Sequence, residues 1–326
     1  MTRVSRFPAT LEESVRPKAL AGALLGVLLL AGCGQPADTA APPTQTPAPT
    51  VAAGAFPVTV NAGNGSITIA QRPGRIVSLS PTATETLYAI GAGPQVIAVD
   101  DQSNHPAEAP KTELSGFKPN VEAIIAEKPD LVILANDLEG VLDGLGKVGV
   151  PVLLEPAAAN LDAAYDEIND LGLATGNARQ ATELVSSMKN QLEQLVTAAP
   201  KGKGLSYYHE LDVVPYSTTS LTFIGQIYGL FGLENIADAA PDAAGGYPKL
   251  SAEFVAKADP DLIFLADTKC CGQNAGTLAK RPGWSGLSAI KDEQVVELDD
   301  DIASRWGPRI VDLARSISEA VQKATS

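Results

Sequence analysis

The sequence predicts an α/β protein of two lobes, each with a mainly parallel sheet, joined by one long helix and leaving a ligand cleft between the lobes. Three observations predict this architecture. One segment occurs twice, strand-like and helix-like segments alternate along the chain, and a long amphipathic stretch separates the two halves. Alternating strands and helices are typical of parallel sheets covered by helices.

The repeated segment reads VEAIIAEKPDLVILA at residues 121–135 and AEFVAKADPDLIFLA at residues 252–266. In both copies apolar residues at helical spacing precede a Pro-Asp pair, and a residue before proline avoids the helical conformation. An unbroken apolar run follows, which is typical of a parallel strand buried on both faces. Each copy therefore predicts a helix, a turn and a buried strand, one set in each lobe.

The alternation continues through the rest of the chain. A hairpin is indicated where VTV and SITI flank Asn64-Gly65, and Thr82 with Glu85 has the spacing of a capping box that opens a helix. Another helix is predicted around residues 223–231. The remaining predicted strands are IVSLS (76–80), VIAVD (96–100), PVLLE (151–155), LSYYHEL (205–211) and VVELD (295–299).

The stretch NARQATELVSSMKNQLEQLV, residues 177–196, keeps its apolar residues on one helical stripe. A helix of roughly 20 residues spans about 30 Å, enough to bridge two domains. An ordinary surface helix is equally compatible with the pattern. We predict a first lobe over residues 58–175, the linking helix over 176–198 and a second lobe over 199–326.

The N-terminal residues 1–32 have the pattern of a bacterial lipoprotein signal peptide: basic residues, an apolar stretch, and then Leu30-Ala31-Gly32-Cys33. The apolar stretch is too short to span a bilayer comfortably, so we expect cleavage and lipidation of Cys33. An uncleaved anchor is the alternative. Residues 33–57 are rich in Pro, Ala and Thr and predict a disordered tether.

Composition excludes several classes of function. The formal net charge of −14 makes nucleic acid an unsuitable partner. Two histidines are too few for a zinc site of three histidine ligands, and no metal site is predicted. The sequence lacks the G-x-S-x-G, Walker A and H-E-x-x-H motifs, so no catalytic residue is predicted and the chain is not expected to be an enzyme.

Three further segments carry a family resemblance: GRIVSLSPTATETLYAIGAG (74–93), LENIAD (233–238) and ASRWGPRIVDLARSI (303–317). With the lipobox and the two lobes, they resemble the substrate-binding lipoproteins of cobalamin and ferric-siderophore ABC importers. The resemblance implies a monomer, lipid-anchored outside the cytoplasm, that delivers a corrinoid or ferric chelate to a permease dimer with its ATPase subunits. No cofactor is implied, although the ligand can contain cobalt or iron.

The resemblance leaves alternatives open. Cobalamin, a ferric siderophore and haem are all ligands of this fold. A protein of another class, a surface interaction or sensory protein that has lost transport, is a further alternative. The resemblance also implies that Glu122 and Glu253 bind arginines on the permease. Without any partner, a glutamate at such a position stabilises its helix by about 0.3–1 kcal/mol.

Ligands of open α/β sheets bind beyond the carboxyl ends of the strands. That rule makes Ser80 and Asn136 candidates for ligand contact. Flat apolar side chains suit a macrocycle or a chelate, which makes the aromatic residues Phe117, Tyr208, Tyr247 and Trp306 candidates as well. Arg305, beside Trp306, is the remaining candidate. Core packing is the alternative for the aromatic residues, and Arg305 has the run Asp299-Asp300-Asp301 as an alternative partner.

Cys270 and Cys271 are adjacent in the chain. Because the implied compartment is oxidising, we favour a disulfide between them that shapes a cleft loop. Their Cα atoms lie about 3.8 Å apart across a trans peptide, below the usual range for a disulfide, so two free thiols are the alternative.

Overall fold

A computed structural model describes residues 56–202 and 204–326. The predicted signal peptide, the lipidation site Cys33 and nearly all of the predicted tether lie outside these residues. Within the described part of the chain, every helix is too short or too polar to cross a membrane.

The described residues form ten strands and twelve α-helices, numbered along the chain. The strands are β1 Val58–Ala62, β2 Gly65–Ile69, β3 Ile76–Leu79, β4 Val96–Val99, β5 Leu131–Leu134, β6 Val152–Leu154, β7 Ser206–Glu210, β8 Glu234–Asn235, β9 Leu262–Leu265 and β10 Val295–Glu297. The helices are α1 Pro81–Ala89, α2 Val121–Ala126, α3 Val141–Gly146, α4 Leu161–Thr175, α5 Ala178–Ala198, α6 Phe223–Leu230, α7 Ala252–Ala258, α8 Thr268–Cys271, α9 Ala275–Ala279, α10 Ser288–Lys291, α11 Asp300–Ser304 and α12 Ile310–Thr325.

Each lobe contains one four-stranded parallel sheet, which confirms the predicted fold class. The first sheet has the order β4-β3-β5-β6 and the second has the order β10-β9-β7-β8. When the strands of each sheet are counted along the chain, both sheets have the spatial order second, first, third, fourth. The predicted hairpin is confirmed as the antiparallel pair β1–β2 of the first lobe.

The repeated Pro-Asp pair has the same structural task in both lobes. In the first lobe, Asp130 accepts hydrogen bonds from the backbone N–H of Gly74 at 2.8 Å and of Arg75 at 2.9 Å, just before β3. In the second lobe, Asp261 accepts from the backbone N–H of Ser206 at 2.7 Å, at the start of β7. Each aspartate thus ties the strand that follows it to the first strand of its sheet.

The core is continuous between the lobes. One large cluster of buried apolar side chains includes residues of both sheets together with residues of α1, α4, α5, α6 and α12. Two smaller clusters cover the other face of each sheet. The apolar runs of the strands are therefore covered on both faces, as their lack of alternation predicts.

Helix α5 packs its predicted apolar stripe into the shared core, with Ala181, Val185, Met188 and Leu192 buried. Its contact with α4 is close at Gly172, where an added Cβ would lie 2.3 Å from the Cβ of Ala181. Any larger residue at position 172 would push the two helices apart. The linking helix is thus an integral part of the core rather than a solvent-exposed rod.

Candidate functional site

The carboxyl ends of β3 and β5 open into a cavity of about 380 Å³. Ser80 directly follows β3, and Asn136 lies two residues after the end of β5. Both residues line the cavity, and Phe117 lies at its rim. The cavity is bounded on the other side by residues 304–306, which are the last residue of α11 and the two residues that follow it. The cavity therefore lies beyond the carboxyl ends of the strands, where the sequence predicts ligand contacts.

A second cavity of about 250 Å³ lies on the side of the second lobe. Tyr247, Leu221 and Thr222 line it, together with the short segment 157–159 of the first lobe. Residues 304–306 line this cavity as well. The two cavities are therefore parts of one cleft, and we call residues 304–306 its floor.

Three aromatic side chains mark the cleft. Phe117 is 68% exposed and Tyr247 is 54% exposed, one in each cavity. Trp306 lies in the floor and contributes to both. Leu221, 72% exposed beside Tyr247, adds an apolar surface that sequence analysis missed. The sequence signal for this exposed surface was the position of Leu221 immediately before Thr222 and Phe223, the N-cap and first residue of α6.

The prediction that Tyr208 contacts the ligand is wrong. Its side chain is fully buried (0% exposed), its hydroxyl donates to Glu210 Oε2 at 3.0 Å, and its ring meets Trp284 edge-on. It belongs to the core cluster on the outer face of the second sheet. Because β7 is covered on both faces, its alternating side chains all enter protein interior, and none of them reaches the cleft.

Helix α1 begins at the cleft, but not with the predicted capping box. Ser80 is the N-cap residue and accepts a hydrogen bond from the backbone N–H of Ala83 at 3.2 Å. Thr82 lies inside the helix, because Pro81 occupies the first helical position, which proline favours. The carboxylate of Glu85 is therefore free for another role.

Glu85 forms a buried ion cluster with Arg305 of the floor and with Arg309, the residue that immediately precedes α12. Arg305 Nη1 donates to Glu85 Oε1 at 2.6 Å, while Arg309 donates from Nε to Glu85 Oε2 at 2.8 Å. These hydrogen bonds are the main reason that the pKa of Arg309 is raised above its ordinary value. We call Glu85, Arg305 and Arg309 the ion cluster. The two arginines, four residues apart in ASRWGPRIV, were the sequence signal for a missing acidic partner.

Arg305 lines both cavities, but both terminal nitrogens of its guanidinium already donate hydrogen bonds within the protein. Besides Glu85, it donates to Asp301 Oδ1 at 2.7 Å, to Asn104 Oδ1 at 3.1 Å and to the carbonyl of Gln102 at 3.0 Å. Arg305 was predicted either to bind an anionic group of the ligand or to pair with the aspartate run, and in this structure it pairs with Asp301 of that run. The residue joins the floor to the first lobe.

Glu122 and Glu253 occupy equivalent positions, each the second residue of its helix and each exposed. Both helices have side-chain caps: Asn120 accepts a hydrogen bond from the backbone N–H of Ala123 at 2.9 Å, and Ser251 accepts one from the backbone N–H of Phe254 at 3.1 Å. In the part of the chain that the structure describes, neither glutamate forms an ion pair. We call them the docking glutamates, and their contact with a permease stays a prediction.

The structure joins Cys270 and Cys271 in a disulfide within α8. Neither cysteine lines the two cavities, so the bond does not shape the cleft directly. Instead, Asp300 accepts hydrogen bonds from the backbone N–H of Thr268 and Cys270, both at 2.8 Å. Because Asp300 begins α11, the disulfide-bonded turn braces the helix that leads into the floor.

Residues 76–302 match the model of a family described as periplasmic binding protein. The chain is 32% identical, over 94% of its length and 96% of the relative's, to the uncharacterized ABC transporter substrate-binding lipoprotein YvrC of Bacillus subtilis. It is 28% identical to a cobalamin-binding protein of Halobacterium salinarum, with 83% of this chain and 75% of the relative covered.

Among solved structures, a periplasmic solute-binding protein of Staphylococcus epidermidis, described as a possible iron-binding protein, superposes with a TM-score of 0.66. It is 26% identical, and the match covers 77% of this chain and 99% of that one. The fold of two lobes with parallel sheets, the cleft at their strand ends and the family match agree with one another. The chain therefore belongs to the periplasmic binding protein family, whose members bind solutes and are not enzymes.

Proposed function

We propose that this protein captures a cobalamin-like corrinoid and delivers it to an ABC import permease. The observation that carries the proposal is the set of three cleft aromatics: Phe117 and Tyr247, exposed in opposite cavities, and Trp306 between them. Aromatic faces cover a broad, rigid ligand at little cost in side-chain ordering. The relative from Halobacterium, named a cobalamin-binding protein, supports the same ligand class.

The charges of the cleft support a ligand without strong negative charge. Arg305 is the one cationic side chain among the residues that line the two cavities, and Glu85 and Asp301 already pair with it. The acidic side chains Asp100 and Asp301 also line the first cavity. An anionic chelate or a haem propionate would meet no free cation there, and desolvating such a charge without a partner is costly.

A ferric chelate is the second candidate, favoured by the resemblance to the Staphylococcus protein described as a possible iron-binding protein. Within this class a neutral hydroxamate chelate fits the cleft charges better than an anionic one. The two candidates differ in size and charge, so a small panel of probes separates them.

The first prediction is that full-length protein in detergent binds cyanocobalamin, measured by titration calorimetry against a neutral ferric trihydroxamate and haemin. Combining Phe117→Ala with Tyr247→Ala is expected to weaken binding at least about tenfold, since a buried aromatic contact contributes on the order of 1–2 kcal/mol. Val148→Ala, another exposed apolar residue outside both cavities, is the matched control. Binding of none of the three probes by folded protein would sink the proposal.

We further propose that the protein is held at the outer face of the cytoplasmic membrane by a lipid on Cys33. The Bacillus relative, named a lipoprotein, supports this localisation. Cys33→Ser is expected to move the protein from the membrane fraction to the soluble fraction, because the lipid is the predicted anchor. Fractionation and immunoblotting measure this, with Cys270→Ser as the control for loss of a cysteine. Membrane association that persists in Cys33→Ser contradicts the anchor.

A further inference from the structure

A third cavity, smaller and more enclosed than the other two, adjoins the floor of the cleft. Its volume is about 10 Å³, which is close to the room that one water molecule requires. Trp306, the side chain shared by the two open cavities, forms part of its wall together with the carboxyl groups of Glu155 and Glu167. Hydroxyl groups of α1 complete its polar lining.

The indole of Trp306 is held by one polar contact. Its Nε1–H donates to Glu167 Oε2 at 2.8 Å. An indole N–H can only donate, so its orientation depends on the acceptor that it meets. The backbone beside it is fixed by the hydrogen bonds of Arg305, which leaves the rotation of the ring to its packing and to Glu167.

Two carboxyl residues, Glu155 and Glu167, line this cavity, and a third, Asp170, lies close enough to act on both. Glu155 follows β6 and is 4% exposed, and its Oε1 atom has no hydrogen-bond partner among the described residues. Glu167 and Asp170 lie one turn apart on α4. None of the three takes part in an ion pair within the described residues. No cluster in the same residues has the arrangement that holds a metal ion.

Burial raises the pKa of Glu155 to about 8, and the neighbouring Asp170 and Glu167 add to this shift. Burial also raises the pKa of Glu167 to about 7, with the bond from Trp306 opposing the rise and Asp170 adding to it. The pKa of Asp170 is raised to about 6 by burial and by Asp166. These carboxyl groups therefore carry protons at mildly acidic pH and lose them as pH rises through the neutral range.

Other charged groups around the site are already engaged. On α1, Glu85 is paired with Arg305 and Arg309 in the ion cluster. On α5, Lys189 lies over the ring of Tyr165 of α4, at 4.6 Å from the ring centre. The three carboxyl groups are thus the titratable groups left to respond to pH behind the indole.

We propose that Glu167 is a positioning residue for Trp306: its carboxylate holds the indole N–H and so fixes the ring where the two open cavities meet. A hydrogen bond to an ionised acceptor is stronger than one to a neutral acid. Proton uptake by the carboxyl cluster loosens the ring, and proton release fixes it. The consequence for ligand affinity rests on the proposed function, whereas the coupling between Glu167 and the ring does not.

The test of the coupling needs no ligand. The chain has two tryptophans, so subtracting the fluorescence of Trp306→Phe isolates the emission of Trp306. Between pH 5.5 and 8.5, this emission is expected to change with a midpoint near the pKa of Glu167, about 7. The component centred near pH 7 is expected to vanish in Glu167→Gln, in which Glu155 and Asp170 still titrate at about 8 and about 6, and to persist in Asp166→Asn, which removes an exposed charge from the same helix. The same transition in Glu167→Gln, or none in the wild type, overturns the proposal.

A second measurement holds even where Glu167→Gln fails to fold. In wild-type protein with ¹⁵N-labelled tryptophan, the indole N–H resonance of Trp306, assigned with Trp306→Phe, is expected to move downfield as pH rises from 6 to 8. A resonance that does not move refutes the coupling. Affinity for cyanocobalamin is expected to rise about fivefold over the same range in the wild type and to stay constant in Glu167→Gln. Failure to bind any probe while the indole titrates refutes the proposed function and leaves the positioning role standing.

Discussion

Cells that carry the double variant Glu122→Arg, Glu253→Arg are expected to lose ligand uptake, although the purified variant binds its ligand normally. The docking glutamates are exposed, lie at equivalent positions of α2 and α7, and do not line the cleft. Opposed to arginines of a permease, the reversed charges would repel where the native charges attract. The measurement is uptake of the calorimetric probe, normalised to the amount of protein at the surface.

The single variants provide the control for this result. Each is expected to give an intermediate defect, because the other lobe keeps its half of the contact. If the glutamates only stabilise their helices, the loss of stability is about 0.3–1 kcal/mol for each, and uptake follows the amount of folded protein. Normal uptake by the double variant would reject the docking role.

Glu85→Ala is expected to lower the free energy of unfolding by about 3–5 kcal/mol, the cost of leaving a largely buried charge without its partner. Arg309 is only 19% exposed and pairs with Glu85 alone among the described residues, whereas Arg305 keeps its bond to Asp301. Because the cluster joins α1 to the floor, its loss is also expected to weaken ligand binding. Chemical denaturation and calorimetry measure the two effects.

The matched control is Glu183→Ala on α5. Glu183 pairs with Arg179 at 3.0 Å, but these side chains are 61% and 69% exposed. Exposed pairs at this helical spacing contribute about 0.3–0.5 kcal/mol. A cost below about 1 kcal/mol for Glu85→Ala would show that the ion cluster does not hold the floor.

The sequence predicted those features whose cause is local. Apolar runs without alternation gave the buried parallel strands, and Asn64-Gly65 gave the hairpin, because each pattern contains its own physical reason. The repeat also pointed correctly to two similar lobes. Strand order in both sheets then agrees with the repeated helix, turn and strand.

The features that were missed depend on contacts between distant residues. Tyr208 and Tyr247 are the same residue type near a strand end or a loop, and only the fold buries one and exposes the other. Glu85 meets Arg305 across more than half of the chain. Its predicted part in a capping box was overruled by Ser80 and Pro81, which begin α1 two residues earlier.

The place of α12 in the core has a consequence for how the protein is made. This helix is the last element of the chain, and eight of its residues are buried, most of them in the core that both lobes share. The core that the two lobes share therefore cannot be completed until α12 has been synthesised, so the packing of α5 depends on a helix that follows it by more than 100 residues.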